Sequence, residues 1–215
     1  MNVDDIVASM ERFQHLIAAP SYKARDWKQF HREYRRADLI KSGARLVRAI
    51  EEVEMVTAWS TTRLDQFAAA TDNWLRAHQL PVGPLEPRSL FKDGNRPAIQ
   101  VKRRQWWRWD DKYSHTNPIM AWIEPKQEMV DALRADGCPA WLFTDLYDRY
   151  KAGELLEALT AGPEPREVLA ERARSARPEW DKAEAVWQEG RTEWRKRHMA
   201  RLRQRQAEAR ERSHQ

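Results

Sequence analysis

Trp180, Trp187 and Trp194 recur at intervals of seven in an otherwise charged stretch, and this spacing constrains the chain more than any other feature. On a straight helix a seven-residue repeat drifts by only about 20° per step, so the three indoles line one side. Ala183 and Gly190 follow the first two tryptophans by three residues and keep that side narrow. Pro178 is tolerated in a first helical turn, so the helix is expected to begin there. A row of indoles needs an apolar surface to cover it, and the seam is read first as a docking face, toward the body of the chain or toward another protein. Met199 and Leu202 extend the apolar side weakly. Little beyond them is apolar, and helical turns without packing are marginal in water.

The same helix carries the charge. From Arg191 to Gln215 there are nine Lys or Arg against three Glu, a balance of +6 in a chain whose formal net charge is +5, so the remaining residues sum to −1. A second basic stretch runs from Lys23 to Arg48, with nine cations against Asp26, Glu33 and Asp38. Segregation of this kind points to a polyanionic partner. One third of the residues are charged and 41% are hydrophobic, so the core is lean. Eleven tryptophans nevertheless mark a chain that folds rather than a disordered one.

The apolar spacing predicts a mainly α protein: an N-terminal helical bundle over 1–80, a Pro-rich connector over 81–97, a small α+β segment with two or three short strands over 98–162, and a helical region with a basic tail over 163–215. In the first part, Ile6, Val7, Met10, Phe13 and Ile17 space a helix over 4–18, and Trp27, Phe30 and Tyr34 mark a second. A longer helix is expected over 37–58, with Gly43 as a break near its start. Ser60, Thr61 and Thr62 offer N-cap hydroxyls for a helix bearing Phe67, Trp74 and Leu75. Lys92-Asp93-Gly94-Asn95 reads as a tight turn, a candidate hairpin tip. Ile99, Val101, Trp107 and Trp109 alternate with Gln100, Lys102, Arg104 and Arg108, which favours a strand over 98–109 although Arg103 falls on the wrong side. Ile119–Ile123 reads as a second strand, followed by a helix that stops at Gly137. Residues 139–142 form either a third strand or the entry to the helix bearing Leu146 and Tyr150.

Three segments are candidate nucleic-acid contacts. Arg25, Lys28, Arg32, Arg35 and Arg36 fall within about 100° of arc on a helix, opposite Trp27, Phe30 and Tyr34, so the aromatics can dock while the cations meet phosphates. Lys102, Arg104 and Arg108 alternate with indoles, and Trp106 is the one strand parity leaves free to stack on a base. In the tail, Arg195, Lys196 and Arg201 face away from the seam. Each segment also has a plainer reading as a solvated charged face or, for the indoles, as core.

One arrangement carries possible chemistry. Asp110-Asp111 is followed by Glu124-Pro125-Lys126, with a strand before Glu124 and a helix after it. Over residues 98–144 this order resembles the PD-(D/E)XK nuclease superfamily. The resemblance implies Asp111 and Glu124 as ligands of a divalent metal and Lys126 as the lysine that assists the attacking water. Elsewhere the chemistry is sparse. The six histidines form no i,i+3 or i,i+4 pair, Ser114-His115 are only sequence neighbours, and the seven glycines are scattered. The single cysteine, Cys138, excludes an internal disulfide and reads as a buried hydrophobe.

No stretch approaches the roughly 18 apolar residues of a membrane span, and no signal peptide is apparent, so the expected compartment is the cytoplasm. The leading expectation is a non-enzymatic nucleic-acid-binding subunit of a larger nucleoprotein assembly. It would bind DNA or RNA through phosphates, associate with other protein subunits, and need no cofactor. In size and composition the chain is similar to the small helical subunits of CRISPR effector complexes and to accessory proteins of phages and plasmids. The alternatives are the metal-dependent nuclease and a scaffold that docks a partner through Trp180, Trp187 and Trp194.

Overall fold

The computed structural model describes residues 1–21 and 24–213; Lys23 and His214 lie outside them. The fold is mainly α, with three small strand pairs and a long C-terminal helix. Helices α1 (Trp27–Arg32), α2 (Lys41–Glu52) and α3 (Ala68–Ala77) occupy the first part. Helices α4 (Ala98–Tyr113), α5 (Gln127–Ala135), α6 (Phe143–Lys151) and α7 (Leu155–Ala161) follow, and α8 (Arg166–Ser213) closes the chain. Among the described residues no helix is long and apolar enough to cross a membrane.

The strands organise the centre. β1 (Ala8–Ser9) pairs antiparallel with β2 (Asp38–Leu39). β3 (Trp59–Leu64) runs parallel to β4 (Leu85–Arg88), with an irregularity between Ser60 and Leu64. β5 (Trp122–Glu124) runs parallel to β6 (Ala140–Leu142), in register Trp122 to Ala140. Residues 1–4 lie between the two parallel pairs. The Val3 amide donates to Ser60 O and the Ser60 amide to Met1 O, while on the other edge the Asn2 amide donates to Ile123 O at 3.0 Å. The lateral order is therefore β4, β3, residues 1–4, β5, β6. Met1, Ala58, Pro84 and Ala121, each just ahead of a strand, border one and the same cavity. Residues 1–4 and strands β3 to β6 thus run in one direction, with their carboxyl ends on the opposite side.

That layout explains where the structure departs from the sequence expectations. Residues 4–18 do not form an α-helix. Residues 1–4 are drawn into strand pairing, Asp5 turns the chain at φ 62°, and only Glu11–Leu16 coil, as a 3₁₀ turn. Ile6, Val7, Met10 and Phe13 are buried all the same. Gly43 is no break: it sits inside α2, where a Cβ would collide with the Ile6 carbonyl. Ser60–Thr62 cap no helix but lie in β3, as their β-branched neighbourhood allows. The 92–95 turn joins β4 to α4 and tips no hairpin.

The largest departure is α4. Residues 98–109 are helical, because Lys102, Trp106, Trp109 and Tyr113 also recur at spacings of four, three and four; the alternation of parity coincided with the longer helical period. Residues 122–124 and 140–142 are strands, and α5 ends in a turn at Gly137 (φ 79°). A Cβ at Gly137 would strike Leu169 O and Ala173 in α8. Helix α8 does not begin at Pro178 but at Arg166, and it runs through the proline. The proline is exposed, so water can reach the Arg174 carbonyl deprived of its amide partner, and the helix continues.

The larger apolar cluster draws on Val3, Ile6, Leu46, Trp59, Trp74, Ile123, Leu146 and Leu159, and so spans residues from both the first part and the centre. A smaller one gathers Trp106, Trp107, Trp122, Leu133, Cys138 and Trp180 beneath α8.

Candidate nucleic-acid interface and the buried polar centre

The cations of the chain fall into two populations, and the buried one builds a polar centre. Helix α4 crosses β3 and β5 and inserts Lys102, which is 1% exposed. Its ammonium donates to Asn2 Oδ1 at 3.0 Å and to Ser60 Oγ at 2.7 Å, and pairs with Glu124 Oε1 at 3.1 Å. Glu124 also accepts from Trp122 Nε1 at 2.8 Å. Burial pulls the Lys102 pKa down, against the opposing field and hydrogen bond of Glu124.

Beside it, buried Arg63 pairs with Asp4 (2.7 Å), stacks over the Tyr34 ring at 4.3 Å and closes a triangle with Thr61, whose hydroxyl donates to Asp4 Oδ2 at 2.9 Å. Burial and the Asp4 charge push the Asp5 carboxyl up, while Lys126 and Arg63 oppose them. Two residues along α4, about half a turn round it, Arg104 makes a two-point contact with buried Asp93 at 2.6 and 2.9 Å. Gln105 donates to the Thr61 and Glu86 carbonyls, and Trp106 Nε1 donates to Asp136 O.

These placements correct three expectations. Lys102, Arg104 and Trp106 are buried, at 1, 3 and 4% exposure, and are no surface for phosphates or bases. Helical periodicity puts Lys102 and Trp106 on one inward face, while Arg104, about 200° round the helix, is buried on another side against Asp93; a carboxylate neutralises each cation. Arg108 is exposed but held by Glu86 at 2.6 Å. The nuclease trio is not assembled either. Asp111 is exposed and bound to Arg177 at 2.6 Å, and the lysine that reaches Glu124 is Lys102, with Lys126 exposed to solvent. Among the described residues no group of three or more His, Cys, Asp or Glu is arranged to hold a metal ion. Burial pushes the Cys138 thiol far up, as suits a core residue.

The exposed population sits first on α1 and the 3₁₀ turn Glu33–Arg36. Asp26 caps α1 by accepting from the Gln29 amide at 2.9 Å. Phe30 and Tyr34 are buried, edge to face at 6.0 Å, with Trp27, His31 and Phe67 packed around them. This anchors one side. Lys28, Arg32 and Arg35 project from the other, exposed, and among the described residues no ion pair or hydrogen bond engages their side chains. Arg25 and Arg36 are less free. Arg25 donates to Ala19 O at 2.8 Å and lies over Trp27; Arg36 pairs with Glu33 at 3.0 Å.

Along α8 the tryptophan seam divides. Trp180 is buried, with the guanidinium of Arg103 5.1 Å from its ring. Trp187 lies under Arg96 at 4.6 Å and donates to Lys92 O at 2.9 Å. Trp194 is 48% exposed and stacks on His198, 4.9 Å away and nearly parallel, with the Arg191 guanidinium 4.7 Å from its ring. Two of the three indoles thus dock on the chain itself. Arg195 lies over Phe91 and Lys196 pairs with Glu193, whereas Arg201 is exposed and unpaired among the described residues. Residues 196–206 are exposed without exception.

Asn2, Asp4 and Arg63 were not singled out from sequence, and Ser60 and Thr61 were read only as N-cap hydroxyls. The readable signal was local: a run of strand formers, Trp59 to Leu64, next to polar groups that a helix interior does not favour. No protein-family model, curated protein or solved structure matches the chain.

Proposed function

We propose that the protein binds the phosphate backbone of a nucleic acid, as a structural component of a nucleoprotein assembly. The observation that carries this reading is the outward face of Lys28, Arg32 and Arg35. Aromatics anchor its inner side, and among the described residues its cations have no carboxylate partner, whereas buried Arg63, Lys102 and Arg104 each have one. Phosphates supply the missing anions, and contacts of this kind are largely independent of base sequence. The free helical arm with Arg201, Arg203 and Arg205 extends the footprint.

The test is binding to single- and double-stranded DNA and RNA across a salt series. Three phosphate contacts on duplex DNA give a slope of log K against log salt of about −3, steeper if the arm engages. A flat response, or no binding at low salt, overturns the reading.

A second reading rests on a different observation. Asp4, Asp5, Thr61, Arg63 and Glu124 gather at the carboxyl ends of parallel strands, the edge where open α/β sheets hold their ligands. That edge would take a small phosphorylated molecule on exposed Lys126, with buried Arg63, committed to Asp4, bracing the edge from behind. A shift in thermal midpoint with phosphorylated metabolites that survives Lys28→Glu/Arg32→Glu/Arg35→Glu would favour it over the backbone reading.

A further inference from the structure

At the opposite, amino-terminal edge of the same strands lies a cavity of about 490 Å³ with a character unlike the rest of this charged molecule. Trp109 and Tyr113 of α4 form an aromatic wall, their rings 5.8 Å apart and nearly perpendicular, and Trp109 meets Trp122 edge-on at 6.2 Å. Ile119 and Met120 supply aliphatic surface. The volume falls in the range of about 300–1,000 Å³ that holds small organic ligands.

Beside Asn117 and the Tyr113 hydroxyl, two further polar features break the apolar lining. The hydroxyl of Thr57, a residue 6% exposed, is buried with no hydrogen-bond partner. A buried hydroxyl left unpaired costs free energy; its oxygen has almost no accessible surface, so an occupant satisfies it through a turn of the Thr57 side chain toward the cavity. The second feature is Glu54, an exposed residue held at φ 60° and the one carboxylate of the lining, which contains no Lys, Arg or His. The Met1 amine also lies here, but burial lowers its pKa to about 5, so near neutral pH it is uncharged and donates to Ala58 O.

We propose that this cavity is a binding site for a small aromatic amine. The ring lies against Trp109 and Tyr113, the chain fills the space beside Ile119 and Met120, Thr57 accepts or donates one hydrogen bond, and Glu54 meets the ammonium. Charge decides the class: an anionic head of the same shape would face Glu54 with no cation to offset it. The site is independent of the phosphate-binding face and of the carboxyl-end cluster.

The experiment is calorimetric titration of the full chain with 4-phenylbutylamine and with its near-isosteric carboxylate, 4-phenylbutyrate, with Trp fluorescence as a second readout. Saturable 1:1 binding of the amine is expected, at least about 10-fold tighter than the carboxylate. Glu54→Gln, at an exposed position, should erase that preference. Thr57→Val should weaken the amine several-fold while Thr57→Ser retains it, and Met120→Trp should fill the space and abolish binding. Lys28→Glu/Arg32→Glu/Arg35→Glu should bind the amine unchanged. Equal affinities for the two probes, no binding of either, or a preference that persists in Glu54→Gln overturns the proposal.

Discussion

Residues 25–36 and 98–109 carry nearly the same mixture of cations and aromatics, and the chain uses them in opposite ways. In the first, Phe30 and Tyr34 go inward while Lys28, Arg32 and Arg35 stay in water. In the second, Val101, Trp106 and Trp107 go inward and take Lys102 and Arg104 with them. The difference lies in what each segment meets. Helix α4 packs on strands that end in Glu124 and a loop that offers Asp93, so two buried cations find carboxylates at 3.1 and 2.6 Å. Helix α1 packs on aromatic and aliphatic side chains, which take up its rings but offer Lys28 and Arg32 no carboxylate among the described residues. Composition does not say whether a cation is part of an interior or of a surface; the partner elements do.

The sharpest way to break this comparison is to remove a buried cation. Lys102→Met leaves Glu124 buried and uncompensated, and should cost about 3–5 kcal/mol in denaturant unfolding. Adding Glu124→Leu should recover a large part of that loss, because the pair together is worth far less than either half alone. An additive double variant would show that the pair is not one coupled unit.

Next in size is the tryptophan seam, where the same residue type is tested at two depths. Trp180→Ala should destabilise by about 3–5 kcal/mol, whereas Trp194→Ala, half exposed, should stay within about 0.5 kcal/mol. Equal effects would mean that the outer part of α8 is as firmly docked as the inner.

The exposed face should behave in the opposite sense to α4. Lys28→Glu, Arg32→Glu and Arg35→Glu together should change stability by no more than about 0.5 kcal/mol per site, since none has a partner to lose. Nucleic-acid binding should nevertheless vanish. Unchanged affinity removes this face from the function.

The smallest effect is a pH dependence within the same aromatic anchor. Burial, with help from Arg88, holds the His31 pKa below the ordinary 6.5. The unfolded chain therefore takes up its proton first, so the contribution of His31 to stability is intact above pH 6.5 and declines as pH falls below it. Urea midpoints measured at pH 7.5 and 5.5 should fall less steeply in His31→Gln than in the parent.

Much of the fold was legible along the chain. Helices α2, α3, α5 and α6 follow apolar spacing at 3.6 residues, β5 follows a short apolar run after proline, and β6 is one of the two readings left open for 139–142. What was not legible depended on neighbours distant in sequence. Residues 98–109 satisfy two periods at once, and only the strands beneath them select the helix. Residues 1–4 are too few to show any period, and they become strand-like because β3 and β5 offer hydrogen bonds on both sides. Of the candidate sites, the cationic face of 25–36 could be drawn from helical spacing alone. The pairing of Lys102 with Glu124, 22 residues away, could not, and neighbouring Lys126 was the nearer choice in sequence.

The sequence by itself determined the mainly helical character, the segregation of charge into two stretches, and the demand of Trp180, Trp187 and Trp194 for an apolar cover. Local spacing and composition suffice for these, because helical period and charge are properties of neighbours along the chain. Tertiary structure decided which cations are buried, which tryptophans dock on the chain's own body, and where polar groups and apolar space collect at the two edges of the strands. Those outcomes depend on hydrogen bonds and ion pairs between residues tens to a hundred positions apart, and a buried charge is tolerated only where such a partner arrives.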